Sequence, residues 1–431
     1  MANYPLVAKE TSVSTPDRLV REFWSWDTRV RGGQLWDRLV RIEPPFEWYL
    51  ECLTTEPVID DGRIPTYWSE LYERFEAWWY RKESPVVIEQ EPFDVVTIEQ
   101  PEVNEIVEFQ VLLSQDLDIP KDSIEQFILT LPFAGCPISF ELVGSPKAIS
   151  VQFAVAEEYE KLLEQHLATF FPGVVVLKRR NTLMTLWMDG YDAFKGIFEF
   201  GLSREVIVPL PAVNLRQDPY VGIAGALGAV RDGESAFFQV LFEPVRCSWA
   251  RNIFDAASSA SGDNELLRLA KAKISQPLHA ALVRVGISAM TPERAAALGA
   301  PLIASLSVYR APDSNGLVLL PNDGYSQADH WLDVVYRRTH RSGMIVNTDE
   351  LISLVHFPSS SVRNPKLERG AKRSKAAPSV VCGNELVLGE NVHPQGTSTV
   401  SLSSEQRTRH MHVIGAVGTG KSTFLLNLIT E

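Results

Sequence analysis

The stretch Gly415-Ala-Val-Gly418-Thr-Gly420-Lys421-Ser422 constrains this chain more than any other. It fits G-x-x-x-x-G-K-[ST], the phosphate-binding loop. Such a loop needs a buried strand before it and a helix after it. The flanks suit both: Met411–Ile414 is a short apolar run, and Phe424, Leu425, Leu426, Leu428 and Ile429 begin an apolar helix. The glycines let the backbone curl so that successive N–H groups point at phosphate oxygens. The helix N-terminus adds partial positive charge. In that setting Lys421 reaches the β- and γ-phosphates, and the Ser422 hydroxyl holds Mg²⁺. ATP and Mg²⁺ are therefore the expected cofactors.

Hydrolysis asks for more. An acidic residue on a later strand must hold the metal and position water, and a strand–loop–helix unit cannot cover both faces of its own sheet. The catalytic residues are expected after Glu431, in a longer ATPase of which this chain is the N-terminal part. The chain alone is expected to be inactive. The alternative is a naturally short protein without catalysis.

The 431 residues suffice for two or three domains. Cys52, Cys136, Cys247 and Cys382 are scattered, with no C-x-x-C pair, which suits a reducing cytoplasm better than a disulfide framework or a zinc site. No signal-peptide pattern opens the sequence, and no apolar run approaches the ~18 residues of a membrane span. A cytoplasmic location is expected. Net charge is −13. From Arg337 onward there are twelve Lys/Arg against seven Asp/Glu, so the acidity lies in front of that residue. An acidic front repels nucleic acid, so DNA contact is expected near or beyond the basic end. Plain solubility explains the acidity equally well.

Residues 1–90 hold Trp24, Trp26, Trp36, Trp48, Trp68, Trp78 and Trp79, seven of the ten tryptophans. In "WSELYERFEAWWYRKE", Leu71, Phe75, Trp78 and Trp79 repeat at helical spacing. The region reads as helical, with its aromatics in a core or a protein contact. Base stacking is disfavoured by Glu70, Glu73 and Glu76.

An internal repeat follows. The pattern E-x-x-x-F-Q-V-L begins at Glu105 and again at Glu234. The first copy leads into a helix-like stretch (Asp122–Leu131), a strand pair turning at Gly144-Ser-Pro146, and a helix from Glu157 to Phe170. The second leads into an expected helix over Asn264–Val283 and a strand in "LIASLSVYRA". The fold class expected is two related α+β units with antiparallel sheets, residues 91–220 and 221–357, ahead of the start of an α/β phosphate-loop domain at 380–431. Between them, 358–379 reads as a basic linker carrying Lys366, Arg369, Lys372, Arg373 and Lys375. It serves as a tether, a DNA contact or a subunit bridge. Beyond it, alternation around Gly389 and Gly396 predicts a hairpin. His410 and His412 would share one strand face, but no further ligand lies near, so they are expected to be buried or in polar contact at the sheet edge. No G-x-S-x-G, H-E-x-x-H or Cys–His signature offers another catalytic centre.

The segment "NTDELISLVHFPS" (Asn347–Ser359) resembles the end of the N-terminal region of type IV coupling-protein-like ATPases. "LGENVHPQGTSTVSLSSEQRTRHMHVIGAVGTGKSTFLLNLI" resembles the beginning of the motor domain of the HerA/FtsK superfamily. The resemblance implies a ring-forming, usually hexameric ATPase that moves DNA or protein, in conjugation, DNA processing or defence. It implies that Gly415, Gly418, Thr419, Gly420, Lys421, Ser422 and Thr423 bind nucleotide, and that an arginine finger and DNA-contacting loops lie after Glu431. Unlike membrane-anchored coupling proteins, the sequence has no transmembrane helix. A partner-docking module with an incomplete ATPase domain is the competing reading, and a small GTPase or kinase a weaker one.

Overall fold

The computed structural model describes residues 30–48, 105–114, 118–131, 136–188, 193–211, 218–259, 264–312, 314–370, 377–393, 396–414 and 420–430. β1 (Leu35–Val40) precedes β2 (Ile106–Ser114), α1 (Lys121–Thr130), β3 (Ile138–Gly144), β4 (Ile149–Ala156), α2 (Glu160–Phe170) and β5 (Val175–Arg180). Next come α3 (Thr182–Met188), β6 (Phe194–Leu202), α4 (Tyr220–Leu227), β7 (Ser235–Pro244), α5 (Trp249–Ser259), α6 (Asn264–Lys273), β8 (Leu278–Ala289) and α7 (Pro292–Ser305). They are followed by β9 (Leu317–Leu319), α8 (Gln327–Tyr336), β10 (Thr339–Arg341), β11 (Met344–Asn347), α9 (Thr348–Leu354) and β12 (Arg369–Gly370). The last elements are β13 (Leu386–His393), β14 (Gly396–Leu402), α10 (Ser404–Arg407) and α11 (Lys421–Thr430).

Among the described residues, ten strands share one sheet. Its order is β5-β2-β4-β3-β7-β8-β6-β9, each neighbouring pair antiparallel. β11 also pairs antiparallel with β8, and β12 lies parallel to β2. The protein is thus α+β with a large, mostly antiparallel sheet. Its first half is a split β-α-β arrangement, β2-α1-β3-β4-α2-β5. The two repeat copies fall on β2 and β7. Each is followed by a helix (α1, α5) and pairs with a later strand (β4, β8) that leads into a helix (α2, α7). The halves join edge to edge where β3 pairs with β7 from Ile138↔Phe242 to Gly144↔Ala236. The expected boundary at 220/221 falls at the start of α4, inside a continuous core.

Strand residues alternate between faces. On one face Val107, Phe109, Phe140, Phe153, Phe238, Val240 and Val285 share the main core with Phe127 of α1, Leu163 of α2, Ile253 of α5 and Leu298 of α7. On the other, Val143, Ile197 and Phe237 meet Leu183 and Trp187 of α3 and Val334 of α8 in a smaller core. There the Phe237 ring lies across Gly286, where a Cβ would stand 2.0 Å from Cε1. No side chain other than hydrogen fits.

Several expectations are corrected. The helix expected over Asn264–Val283 ends at Lys273, and Leu278 begins the twelve-residue strand β8. Both faces of β8 are buried, so "LHAALVRVGISA" lacks the alternation that marks a strand. "LIASLSVYRA" is not a strand but the end of α7 and a 3₁₀ turn. Thr291 caps that helix through the Arg294 N–H, with Pro292 in its first turn. Within the expected helical region 1–90, the described residues form β1 and an irregular segment, while "WSELYERFEAWWYRKE" lies outside the described residues. β1 pairs with β10. Beyond it, Glu43 accepts from the N–H groups of Arg246 and Cys247 and from Trp249 Nε1 (2.8 Å), placing a carboxylate at the N-terminus of α5.

The expected linker is also part of the fold over its first half. Val362 and Leu367 are buried. Asn364 donates to the Ala224 carbonyl (2.7 Å), and Lys366 Nζ to that of Val230 (2.6 Å). The Ile149 N–H donates to Lys366 O and the Glu368 N–H to Ile149 O. Two of the five basic residues are thereby committed: Lys366 as above, and Arg369 to the carbonyls of Ser359 and Val362. Lys372, Arg373 and Lys375 lie outside the described residues.

Candidate functional site

The nucleotide-binding residues expected from the sequence fall at the start of α11. Gly415, Gly418 and Thr419 lie outside the described residues. Gly420 has φ +81°, a conformation that favours glycine. Nothing lies within 4 Å of where its Cβ would be, so the backbone angle and not crowding calls for glycine there. Lys421 is the first helical residue, followed by Ser422 and Thr423, both exposed. The chain thus enters α11 through a left-handed glycine, with the first N–H groups of the helix and the Lys421 and Ser422 side chains at one end. These residues fit a phosphate and its Mg²⁺.

The preceding strand differs from expectation. Met411–Ile414 has no ladder partner among the described residues. Ile414 is 85 % exposed and Met411 47 %. A strand of this kind forms only between neighbours in a parallel sheet, and the described residues provide none. α11 likewise leaves Leu426 and Ile429 exposed. The hairpin before it does form, as β13 and β14. No α/β phosphate-loop domain is assembled from the described residues. His410 and His412 are exposed, and among the described residues no group of three or more His, Cys, Asp or Glu is placed to hold a metal.

A second constellation was not singled out from the sequence. Six residues lie directly opposite one another across six strands: Gln110, Gln152, Glu141, Gln239, Arg284 and Glu199. All are buried, on the face opposite the main core. Glu141 accepts from Ser139 Oγ, Gln152 Nε2 (2.7 Å), Gln239 Nε2 (2.9 Å) and Arg337 Nε (2.8 Å). Arg337 Nη2 also reaches Glu108 (2.6 Å), whose carboxylate accepts from the N–H groups of Thr182 and Leu183 at the start of α3. At the far end Glu199 pairs with Arg284 (2.7 Å) and Arg341 (2.7 Å), with His330 Nε2 at 3.3 Å. Gln110 closes the near end by donating to Glu368, just before β12.

Burial by itself would raise the pKa of these carboxyls. For Glu141, the Arg337 charge and hydrogen bonds outweigh burial and hold it below the ordinary value. For Glu199, Arg284, His330 and Arg341 bring it down to about 2. Burial lowers the pKa of His330, while the hydrogen bond to Asp333 raises that of His340. Each carboxylate in the row is met by an arginine. The row is therefore a fixed ionic spine, not an acid–base pair poised to exchange protons. One sequence signal pointed to it: the repeated F-Q-V-L places Gln110 and Gln239 on this face of β2 and β7. Glu141 in "ISFELVG", Arg284 in "ALVRVGI" and Glu199 in "IFEFGL" are likewise the lone charged residues of apolar stretches.

A family described as a domain of unknown function (DUF8128) matches residues 129–297, less than half of the chain. The matched stretch runs from the end of α1 into α7 and so includes the β3–β7 seam. No curated protein matches. Among solved structures, a chitooligosaccharide oxidase is similar over 62 % of this chain and 56 % of its own, at 15 % identity and a TM-score of 0.27. A likeness that low carries no argument about fold or activity. No helix among the described residues is long and apolar enough to cross a membrane.

Proposed function

We propose that this chain is the N-terminal part of an ATP-driven, ring-forming translocase of the HerA/FtsK type, with the α+β sheet as the platform for a phosphate-loop motor. The observation that carries the reading is the complete G-x-x-x-x-G-K-S sequence running through a left-handed Gly420 into a helix that begins at Lys421. Lys421 would contact the β- and γ-phosphates, Ser422 would hold Mg²⁺, and Thr423 would lie beside it in the first turn. Gly415, Gly418, Thr419 and Gly420 would present backbone N–H groups. Bound ATP supplies the phosphoryl group whose transfer to water drives movement. The exposed apolar residues Ile414, Leu426 and Ile429 support the reading, because the covered sheet of an α/β motor would bury such positions. DNA as substrate, a homo-hexameric ring and a cytoplasmic setting belong to the same proposal. So does activity residing in the complete protein, where residues beyond Glu431 would supply the catalytic acid and the arginine finger.

Titration of a fluorescent ATP analogue with Mg²⁺ tests the site. Lys421→Ala should weaken binding at least tenfold while leaving the α+β region folded by circular dichroism. Wild-type affinity in that variant would remove the loop as the nucleotide site, and leave the docking-module reading in its place.

A further inference from the structure

Asn315 and Gly316 form the one Asn–Gly pair in the sequence. They stand at the turn into β9, against the segment that follows β6. Asn315 is 0 % exposed. Its Oδ1 accepts from Ser203 Oγ (3.2 Å) and from the N–H groups of Arg204 (2.8 Å) and Gly316 (3.0 Å). Its Nδ2 faces the carbonyls of Arg204, Glu205 and Val208 at 3.2, 3.0 and 2.9 Å. Donors gather at one end of the amide and carbonyls at the other. Aspartate would lack the N–H groups, and an apolar residue would leave both sets of partners unpaired. The backbone is held as well: the Asn315 N–H donates to Pro209 O and the Ser203 N–H to Gly316 O, each at 2.8 Å. Gly316 is fixed by crowding, since a Cβ there would stand 2.9 Å from Arg310 Cγ and 3.0 Å from its Cβ. The turn therefore requires both residues.

The pair it requires is chemically labile. Asparagine is among the thermolabile residues. In an open chain the peptide nitrogen of the next residue reaches the side-chain carbonyl carbon, and glycine, with no side chain and a free backbone, hinders that approach least. The folded turn forbids it. The Gly316 nitrogen points its hydrogen at Oδ1, so its lone pair is not aimed at Cγ. Burial also keeps out the water and base that the reaction consumes.

We propose that Asn315–Gly316 is a deamidation site gated by the fold, closed in the native turn and reactive toward solvent base and water once that turn opens. Base removes the Gly316 N–H proton, and the nitrogen attacks Cγ of Asn315. A C–N bond forms, the Cγ–Nδ2 bond breaks, and ammonia leaves with that electron pair and a proton from solvent. Water then opens the cyclic imide, at one carbonyl to an aspartyl residue and at the other to an isoaspartyl residue. The change is one-way. In the aspartyl product an oxygen stands where Nδ2 met three carbonyls, and the isoaspartyl product adds a carbon to the backbone. Neither product closes the turn again, and β9 loses its anchor beside β6.

The test incubates the full chain at mildly alkaline pH, native in one arm and in concentrated guanidinium chloride in the other. Peptide mass spectrometry follows the change from amide to carboxyl at each asparagine. In guanidinium, Asn315 should convert at least tenfold faster than in the native chain, and faster than Asn322, Asn364 and Asn384, which precede Asp323, Pro365 and Glu385. Equal rates in the two arms would overturn the gate. Asn315 lagging behind those three in guanidinium would overturn the site. Asn315→Asp supplies the aspartyl product without the reaction. It should lower the denaturant midpoint and speed hydrogen exchange at the amides of Ser203 and Arg204, which the turn now holds. A wild-type midpoint with wild-type protection at both amides would overturn the one-way closure.

Discussion

Arg337 ends α8 with φ 51°, in the left-handed region. A non-glycine residue there costs about 1–3 kcal/mol. The cost is offset by what the turn achieves, since it aims one guanidinium at both Glu141 and Glu108. Removing it leaves two buried carboxylates without a counter-charge, which costs about 3–5 kcal/mol. Arg337→Met should therefore lower the urea midpoint by far more than Arg337→Lys, which keeps the charge but not the fork. Equal, small shifts in both would mean that the Arg337 guanidinium does not hold the two carboxyl groups in place. The same logic sets the acid limit. Glu199 has a folded pKa of about 2 against an ordinary 4.5. A depressed carboxyl contributes stability that is complete above the unfolded value and lost as pH falls through the folded one. Stability should decline between about pH 4.5 and pH 2, and Glu199→Gln should flatten that part of the curve. An unchanged acid limb in the variant would show that other groups govern it.

At the scale of elements, what was legible depended on where the signal lay. The split β-α-β half was readable because α1 and α2 have ordinary amphipathic spacing and the β3–β4 turn carries Gly144-Ser145-Pro146. β8 was not, since burial on both faces erases alternation. Nor was the docking of residues 358–370, because composition records side chains, and much of this segment is held by its backbone and by Asn364 and Lys366 bonding carbonyls. The phosphate loop announced its helix, but the buried strand expected over Met411–Ile414 has no ladder partner among the described residues, because a short motif does not encode long-range pairing. The ionic row could be glimpsed only as single polar residues in apolar strands; that they line up is a matter of register. Hydrogen exchange tests the docked segment directly. The amides of Ile149 and Glu368, bonded across it, should exchange far more slowly than unstructured amides. Exchange at unprotected rates would return 358–370 to the status of a tether.

The whole molecule turns on the seam between β3 and β7. Two units that share a sequence pattern could have folded separately, each presenting an open sheet edge, and exposed edges invite unwanted pairing. Here the two edges satisfy one another, and the ends of the sheet are left to β5, with Lys178, Arg179 and Arg180 exposed, and to the three-residue β9. The ionic row crosses the same seam through Glu141 and Gln239, at 2.9 Å. Phe140 and Phe238, one on each side, enter the same core with Tyr220, whose ring is 6.1 Å from both and whose hydroxyl donates to the Leu354 carbonyl. Such a seam makes the halves cooperate. Phe238→Ala should cost about 3–5 kcal/mol, and exchange protection should fall together in β4 of the first half and β8 of the second. Loss confined to the β7–β8 side, with β4 protected as before, would mean that the halves unfold as independent units and that the row across them is no more than a contact.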